Sequence, residues 1–206
     1  KVPKLWKSVS YPSLKPLKSW ILDLKQRIEF INDWLINGKP KTFWISAFFF
    51  QQGFITGILQ NHSRKYKIPI DTLSFKFEIL NNKYDINDFE QETEKEEEEE
   101  EIDGVFVYGL YLDGAKWNDI NGTLYDSNIG ELYSKMPIIH FIPCNNHIFD
   151  DNNYYNCPLY KTSIRAGVLS TTGQSTNYIL PIELKTSQDK KSNYWIKRGV
   201  ALLTQL

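Results

Sequence analysis

The apolar residues along this sequence change period near Pro69. Upstream, Leu17, Trp20, Ile21, Leu24, Ile28, Ile31 and Leu35 recur every three or four residues, which predicts one buried helical face, widened by Phe30 and Trp34. Ser13 or Ser19 is a candidate N-cap. Gly38 followed by Pro40 is a stop signal, because glycine takes the left-handed conformation after a helix and proline cannot continue one. Thr42 is a candidate cap for further helix within 43–67, where Gln51, Gln52 and Gly53 either divide two helices or bend one. Phe54, Ile55, Ile58 and Leu59 resume helical spacing. Arg64, Lys65 and Lys67 fall in the last turn, where cations offset the helix dipole, before Pro69 closes the element. Six large aromatic residues, Phe43, Trp44, Phe48, Phe49, Phe50 and Phe54, crowd residues 40–71, which mark the expected core.

Downstream, Leu73, Phe75, Phe77 and Ile79 alternate with Ser74, Lys76 and Glu78, the pattern of a half-buried strand. Residues 105–112 read as another strand, ending at the hairpin dipeptide Asp113-Gly114 so that 115–117 return alongside it. Asn121-Gly122 offers the next turn, into 123–125. Further strands are expected at 136–143, 154–161 and 177–184, with Thr172-Gly173 as a turn between the last two. Residues 195–206 are expected to close the sheet as a strand, although GVALLTQL also suits a helix. The pattern predicts a single α+β domain, helical over 1–70 after a proline-containing lead-in (1–16) and β over 71–206, mainly antiparallel. Regularly spaced short strands suggest a sandwich or barrel.

Composition changes this picture in one place. Residues 81–102 are polar and acidic, ending in six consecutive glutamates, and are expected to form an inserted, solvated surface loop. The formal net charge of −1 gives no field that would recruit nucleic acid or an anionic membrane. The longest apolar run, 43–50, is too short to span a bilayer. Because Lys1 is not an initiator methionine and no signal segment precedes Trp6, the sequence is expected to be cut from a longer polypeptide.

Candidate chemistry is sparse. Cys144, His147 and Cys157, with His140 or Asp150, supply zinc-ligand types at a spacing that fits no standard site, and free thiols in an Asn- and Asp-rich surface loop are the expectation. A cysteine nucleophile has no nameable orienting partner. Asn61 and Asn121 open accidental glycosylation triplets. Ser170-Thr171-Thr172-Gly173 is a hydroxyl-rich turn rather than a phosphate cradle, and no nucleophile elbow, dinucleotide turn or P-loop is present. No catalytic, cofactor-binding or metal-ligating residue is therefore assigned. Arg64, Lys65 and Lys67 have the helix-end explanation, with an acidic docking partner as the alternative.

In sequence order, YPSLKPLKSW (11–20), FWISAFFFQQGFITGILQNHSRKYKIPID (43–71), DGVFVYGLYLDGAKWN (103–118), MPIIHFIP (136–143), CPLYKTSIRAGVLSTTG (157–173) and WIKRGVALLTQL (195–206) resemble the C-terminal domain of dynein heavy chains, axonemal ones in particular. Ala47, Gln51 and Ser63 stand where that family usually has Gly, Pro and Ala. The resemblance implies helices packed on an incomplete β-barrel that contacts the AAA+ modules of the same heavy chain. It implies a non-catalytic part that modulates ATP-driven, minus-end-directed motility. The ATP and Mg would belong to the parent ring. Microtubules and the light and intermediate chains would be met through the parent complex, in the cytoskeleton of a cilium or flagellum. Lys161 and Arg165 are candidate ring contacts, or alternatively strand-end salt bridges. A stand-alone β-barrel module binding a peptide or small ligand is the other functional reading.

Six adjacent glutamates gain nothing from burial, so replacing 88–101 with a short Gly/Ser link is expected to leave the melting temperature nearly unchanged. A loss of more than a few degrees in thermal unfolding would show that the insert packs on the domain.

Overall fold

In the computed structural model, which describes residues 3–6, 9–11, 13–80, 103–150, 152–169, 173 and 175–206, the first long element is helix α1 (Leu17–Asn37). The acidic stretch 81–102 and residues 170–172 of the hydroxyl-rich turn lie outside the described residues. Pro16 precedes α1 with φ −60°, and neither Ser13 nor Ser19 caps it; Ser13 Oγ instead accepts from the Lys15 amide at 3.2 Å. Gly38 ends α1 as expected, with φ 94° and ψ −175°, a combination that only glycine takes freely.

Residues 43–50 contain no α-helix. They form strand β1 (Thr42–Trp44) and a 3-10 turn (Ile45–Ala47), and helix α2 begins only at Gln51 (Gln51–Tyr66). Thr, Phe and Trp in succession suit a pleated strand, and Thr42, the expected cap, is itself in it. Ile45 and Ala47 are wholly buried, so the turn sinks into the core where an amphipathic helix would keep one side in water. At the far end Lys67 adopts the left-handed conformation (φ 56°, ψ 39°), and the Ile68 amide bonds back to Ser63 O at 3.1 Å.

The remaining elements, in sequence order, are β2 (Leu73–Ile79), β3 (Val105–Tyr108), β4 (Tyr111–Asp113), β5 (Lys116–Asn118), β6 (Thr123–Tyr125), β7 (Tyr133–Lys135), β8 (Ile139–Asn145), β9 (Tyr154–Tyr160), β10 (Tyr178–Lys185), α3 (Ser192–Arg198) and β11 (Ala201–Leu203). One sheet has the order β1-β3-β8-β2, a second β10-β9-β11-β4-β7, and β5 and β6 make a separate hairpin. Among the described residues every pairing is antiparallel except β1 with β3 and β9 with β11. The α+β class and the mainly antiparallel sheet are as expected, but these sheets do not close into a barrel.

Gly109 explains the largest departure from the expected strands. Its φ is 83°, and a Cβ there would lie 2.6 Å from Trp44 Cδ1, so the backbone turns sharply under the indole. The single strand expected over 105–112 becomes β3 in one sheet and β4 in the other. Asp113-Gly114 consequently makes no hairpin: β4 pairs with β7 and β11, and β5 pairs with β6. The Asn121-Gly122 turn does form, with the Gly122 amide donating to Asn118 O at 2.8 Å. Strand β7 has no counterpart among the expected strands, because three residues carry no readable period.

In the terminal segment, GVALLTQL contains the expected strand and no helix; a helix precedes it. Helix α3 ends at Gly199 (φ 64°), and β11 then enters the middle of the five-stranded sheet instead of closing its edge. Leu202 faces Leu112 on one side and Leu159 on the other, and it is wholly buried together with Leu203 and Trp195. Tyr155 fastens the approach by donating to Val200 O at 2.6 Å.

Leu202→Ala should therefore cost about 3 kcal/mol in denaturant unfolding, as expected when a buried leucine leaves a cavity. Deleting 201–206 should abolish cooperative unfolding, since β4 and β9 would both lose their shared neighbour. A near-normal transition after that deletion would show that β11 is dispensable.

Candidate functional site

The structure separates the chemically suggestive residues. Cys157 on β9 is fully buried, and burial pushes its thiol well above the usual range, which leaves an inert core sulfur rather than a nucleophile. Cys144 lies on β8, beside Ser74. His140 is buried; its ring stacks on Phe106 at 4.2 Å and its Nε2 meets Asp103 O at 2.8 Å. Burial holds that imidazole below its ordinary pKa, the behaviour of a satisfied neutral core histidine. His147, in the connection from β8 to β9, pairs instead with Glu183 on β10 at 2.7 Å. Among the described residues no group of three His, Cys, Asp or Glu side chains could hold a metal ion.

Arg165 is engaged within the domain. It donates to Asp113 Oδ2 at 2.6 Å, at the end of β4, and to Gly199 O at the end of α3. Lys161 follows β9 and is half-buried, and burial lowers the pKa of its ammonium. Of the basic cluster, Arg64 and Lys65 sit in the last turn of α2, and Lys65 pairs with Asp103 at 3.0 Å. Asn61 lies inside α2 and Asn121 in the β5–β6 turn.

What the elements do assemble is a rigidly held helix with one uncovered flank. Within α1, Asp23 and Arg27 are buried and ion-paired at 2.6 Å. Asp23 also accepts from Tyr11 at 2.6 Å and from Lys15 at 2.5 Å, so the lead-in folds back over the helix. The Arg27 guanidinium lies 4.1 Å from the centre of the Tyr11 ring and donates to Gln205 Oε1 at 2.9 Å, next to β11. Burial would raise the Asp23 carboxyl, but the donors Lys15, Tyr11 and Arg27 outweigh it and hold the pKa below the ordinary value. Burial and the Asp23 hydrogen bond push the Tyr11 phenol far up.

This network turns α1 away from the orientation expected of it. Its inward face is Trp20, Asp23, Arg27, Phe30 and Trp34, rotated by roughly 70° from the face expected, at 100° per residue. Ile21, Ile28 and Leu35 are left exposed on the flank, Leu35 at 79%. Ile36 and Leu22 add to the exposed apolar surface, and near the start of the helix so do Trp6, Leu14, Phe49 and Phe50. Trp6 and Tyr11 both pack on Trp20, and Tyr11 also meets Phe49 at 5.6 Å, which makes this second tract continuous. Phe49 and Phe50 are therefore surface, not the core expected of residues 40–71. The sequence signal for such a flank is the breadth of the apolar band on α1, which at 100° per residue covers roughly two-thirds of the circumference, more than one packed face needs.

Residues 1–204 match the family described as the C-terminal domain of the dynein heavy chain. The sequence is 47% identical over 205 residues to "Dynein axonemal heavy chain 1" of Rattus norvegicus and 48% identical over 206 residues to "Dynein axonemal heavy chain 12" of Mus musculus. It is also 45% identical to "Dynein axonemal heavy chain 6" of Homo sapiens. Each match covers 100% of the chain to the nearest per cent, but spans only 4%, 6% and 5% of the respective relatives.

The Asp23 network carries a pH signature. A carboxyl whose native pKa is depressed contributes stability that is fully present above its unfolded value, about 3.9, and lost as pH falls through the native value. Asp23→Asn is thus expected to destabilise the domain near pH 7 and to narrow its deficit against the parent towards pH 2. Arg27→Met, which leaves the buried carboxylate short of a partner, should cost about 3 kcal/mol at pH 7. Equal stability of parent and Asp23→Asn across pH 2–7, in urea titrations, would show that the network is not stabilising.

Proposed function

Because this protein belongs to the family formed by the C-terminal domains of dynein heavy chains, we propose that it is a non-catalytic regulatory domain that docks through α1 on AAA+ modules of its own heavy chain. On this reading it modulates ATP-driven, minus-end-directed movement along microtubules. The observation that carries the proposal is the uncovered apolar flank Ile21, Ile28 and Leu35 on a helix whose other face is locked down by Arg27. Contiguous exposed apolar surface beside polar residues marks an interaction site. A partner is at hand in the remainder of the heavy chain, since the relatives extend far beyond the matched segment.

The ATP and its Mg would be bound by the ring. The light and intermediate chains and the microtubule would be met through the parent complex. The names of the relatives support an axonemal, ciliary or flagellar cytoskeletal setting. The incomplete β-barrel belongs to this reading too, supported by the single core that both sheets line through Phe141, Val107, Leu112 and Ile182. Lys161 is proposed as a peripheral ring contact; its carbonyl accepts from Thr204 beyond the C-terminal strand. Arg165, proposed likewise, supports the domain first, since Asp113 and Gly199 already occupy its guanidinium.

The test is an intact heavy-chain motor carrying Ile28→Asp with Leu35→Asp. Both side chains are exposed, so stability of the domain should change by no more than about 0.5 kcal/mol. Hydrolysis of ATP should persist while velocity, processivity or ATPase coupling changes, because a coupling element shifts populations without supplying the chemistry. A motor indistinguishable from the parent across loads and microtubule concentrations would overturn the docking proposal.

A further inference from the structure

Between α1, α2 and residues of β1, β3 and β8 lies a cleft of about 450 Å³, in the size range of small-molecule sites. Its wall is aromatic: Trp34 meets Phe43 and Phe48 edge-on at 5.3 and 6.0 Å, and Phe48 stacks on Phe54 at 4.2 Å. Its mouth carries Lys39, Lys65 and Asp103. Lys65 and Asp103 compensate each other at 3.0 Å, and Tyr66 donates a further bond to Asp103 at 2.6 Å. Among the described residues no carboxylate pairs with Lys39, so the described lining carries one cation beyond the Lys65–Asp103 pair.

Gly57 supplies an independent observation. It lies inside α2 and lines this cleft, and a Cβ built on it would meet nothing within 4 Å. A glycine in a helix interior weakens the helix relative to alanine, and here neither positive φ nor crowding within the domain requires it. Gly53, one turn earlier, differs: its Cβ would lie 2.5 Å from the Phe50 ring. The missing side chain at Gly57 opens the helix backbone towards the cleft, as close approach of a ligand demands.

We propose that this cleft is a binding site for a small amphipathic anion, whose flat apolar body lies over Gly57 between the aromatic rings and whose anionic end faces Lys39. Rings set edge-on and face-on around a slot favour an aromatic or similarly flat body, and the Lys39 ammonium favours a carboxylate or sulfonate. The site lies apart from the exposed flank Ile21, Ile28 and Leu35, and none of those residues lines it.

The probe is naphthalene-1-sulfonate, titrated into the 206-residue protein and followed by calorimetry and by the amide resonance of Gly57 and the indole resonance of Trp34. One saturable site is expected, with naphthalene-1-methanol binding at least about fivefold more weakly and 1-naphthylmethylammonium more weakly still. Lys39→Gln should remove most of the preference for the anion. Gly57→Leu should weaken binding at least tenfold, and Gly57→Ala should weaken it several-fold while raising the melting temperature by about 2–5 °C, which separates lost binding from lost folding. No saturable binding, equal affinity for the three probes, or affinity unchanged by Gly57→Leu would overturn the proposal. Failure of the probe to bind the intact heavy chain would also overturn it, since the cleft would then be covered by the rest of that polypeptide.

Discussion

The hydrogen bond from Arg27 to Gln205 joins the two halves of the molecule, and the rest of the arrangement follows from how Arg27 is held. The guanidinium of an arginine with 1% exposure is costly unless every direction it faces is answered. Asp23 answers one edge, Gln205 another, and the Tyr11 ring covers the face. Each answer fixes a different part of the molecule: the helix itself, the second residue beyond β11, and the lead-in. Ser46 reinforces the junction by donating to Thr204 O, while Thr204 Oγ1 donates to Lys161 O at 2.9 Å. The last residues of the sequence are thus the point where α1, the turn after β1 and the five-stranded sheet meet.

That junction also decides what α1 shows to solvent. Had the helix turned Ile21, Ile28 and Leu35 inward, it would have buried more apolar surface but left Asp23 and Arg27 at the boundary with water. The hydrogen bonds and the cation over the Tyr11 ring favour the other rotation, which an apolar count cannot foresee. Burial of the charged pair and exposure of the apolar flank are therefore two consequences of one choice. The flank's exposure makes a partner for it the natural reading.

Much of the architecture is legible in the sequence where a period runs long enough. Helix α1 forms where its period predicts, although with another face inward, the strand Leu73–Ile79 follows its alternation, and the end of α1 at Gly38 follows from glycine and proline chemistry. Legibility fails where a single side chain sets the geometry. Trp44 against Gly109 breaks one apparent strand into two, and no local pattern records that the indole comes from some sixty residues earlier. It fails again at 43–50, whose aromatic run suits strand, turn and helix alike, and at three-residue strands such as β7. At the candidate site the residues of α1 are all visible, but their assignment to inside and outside depends on Tyr11, Lys15 and Gln205, which act from outside the helix.

The same junction bears on how such a domain could couple distant parts of a motor. An element alters an equilibrium only if it interacts differently with the two states, and the difference must be carried through a body that does not simply yield. A loop presenting the same leucines and isoleucines would follow its partner at little energetic cost. On α1, the flank is fixed to the sheet through Arg27 and Gln205, so a shift of the helix must be shared by β11 and its neighbours β9 and β4. Close-packed cores resist such distortion, because small displacements forfeit many contacts at once. On the proposed reading, the value of burying an ion pair at this position is stiffness: it converts an apolar contact, which has no direction of its own, into one with a defined geometry.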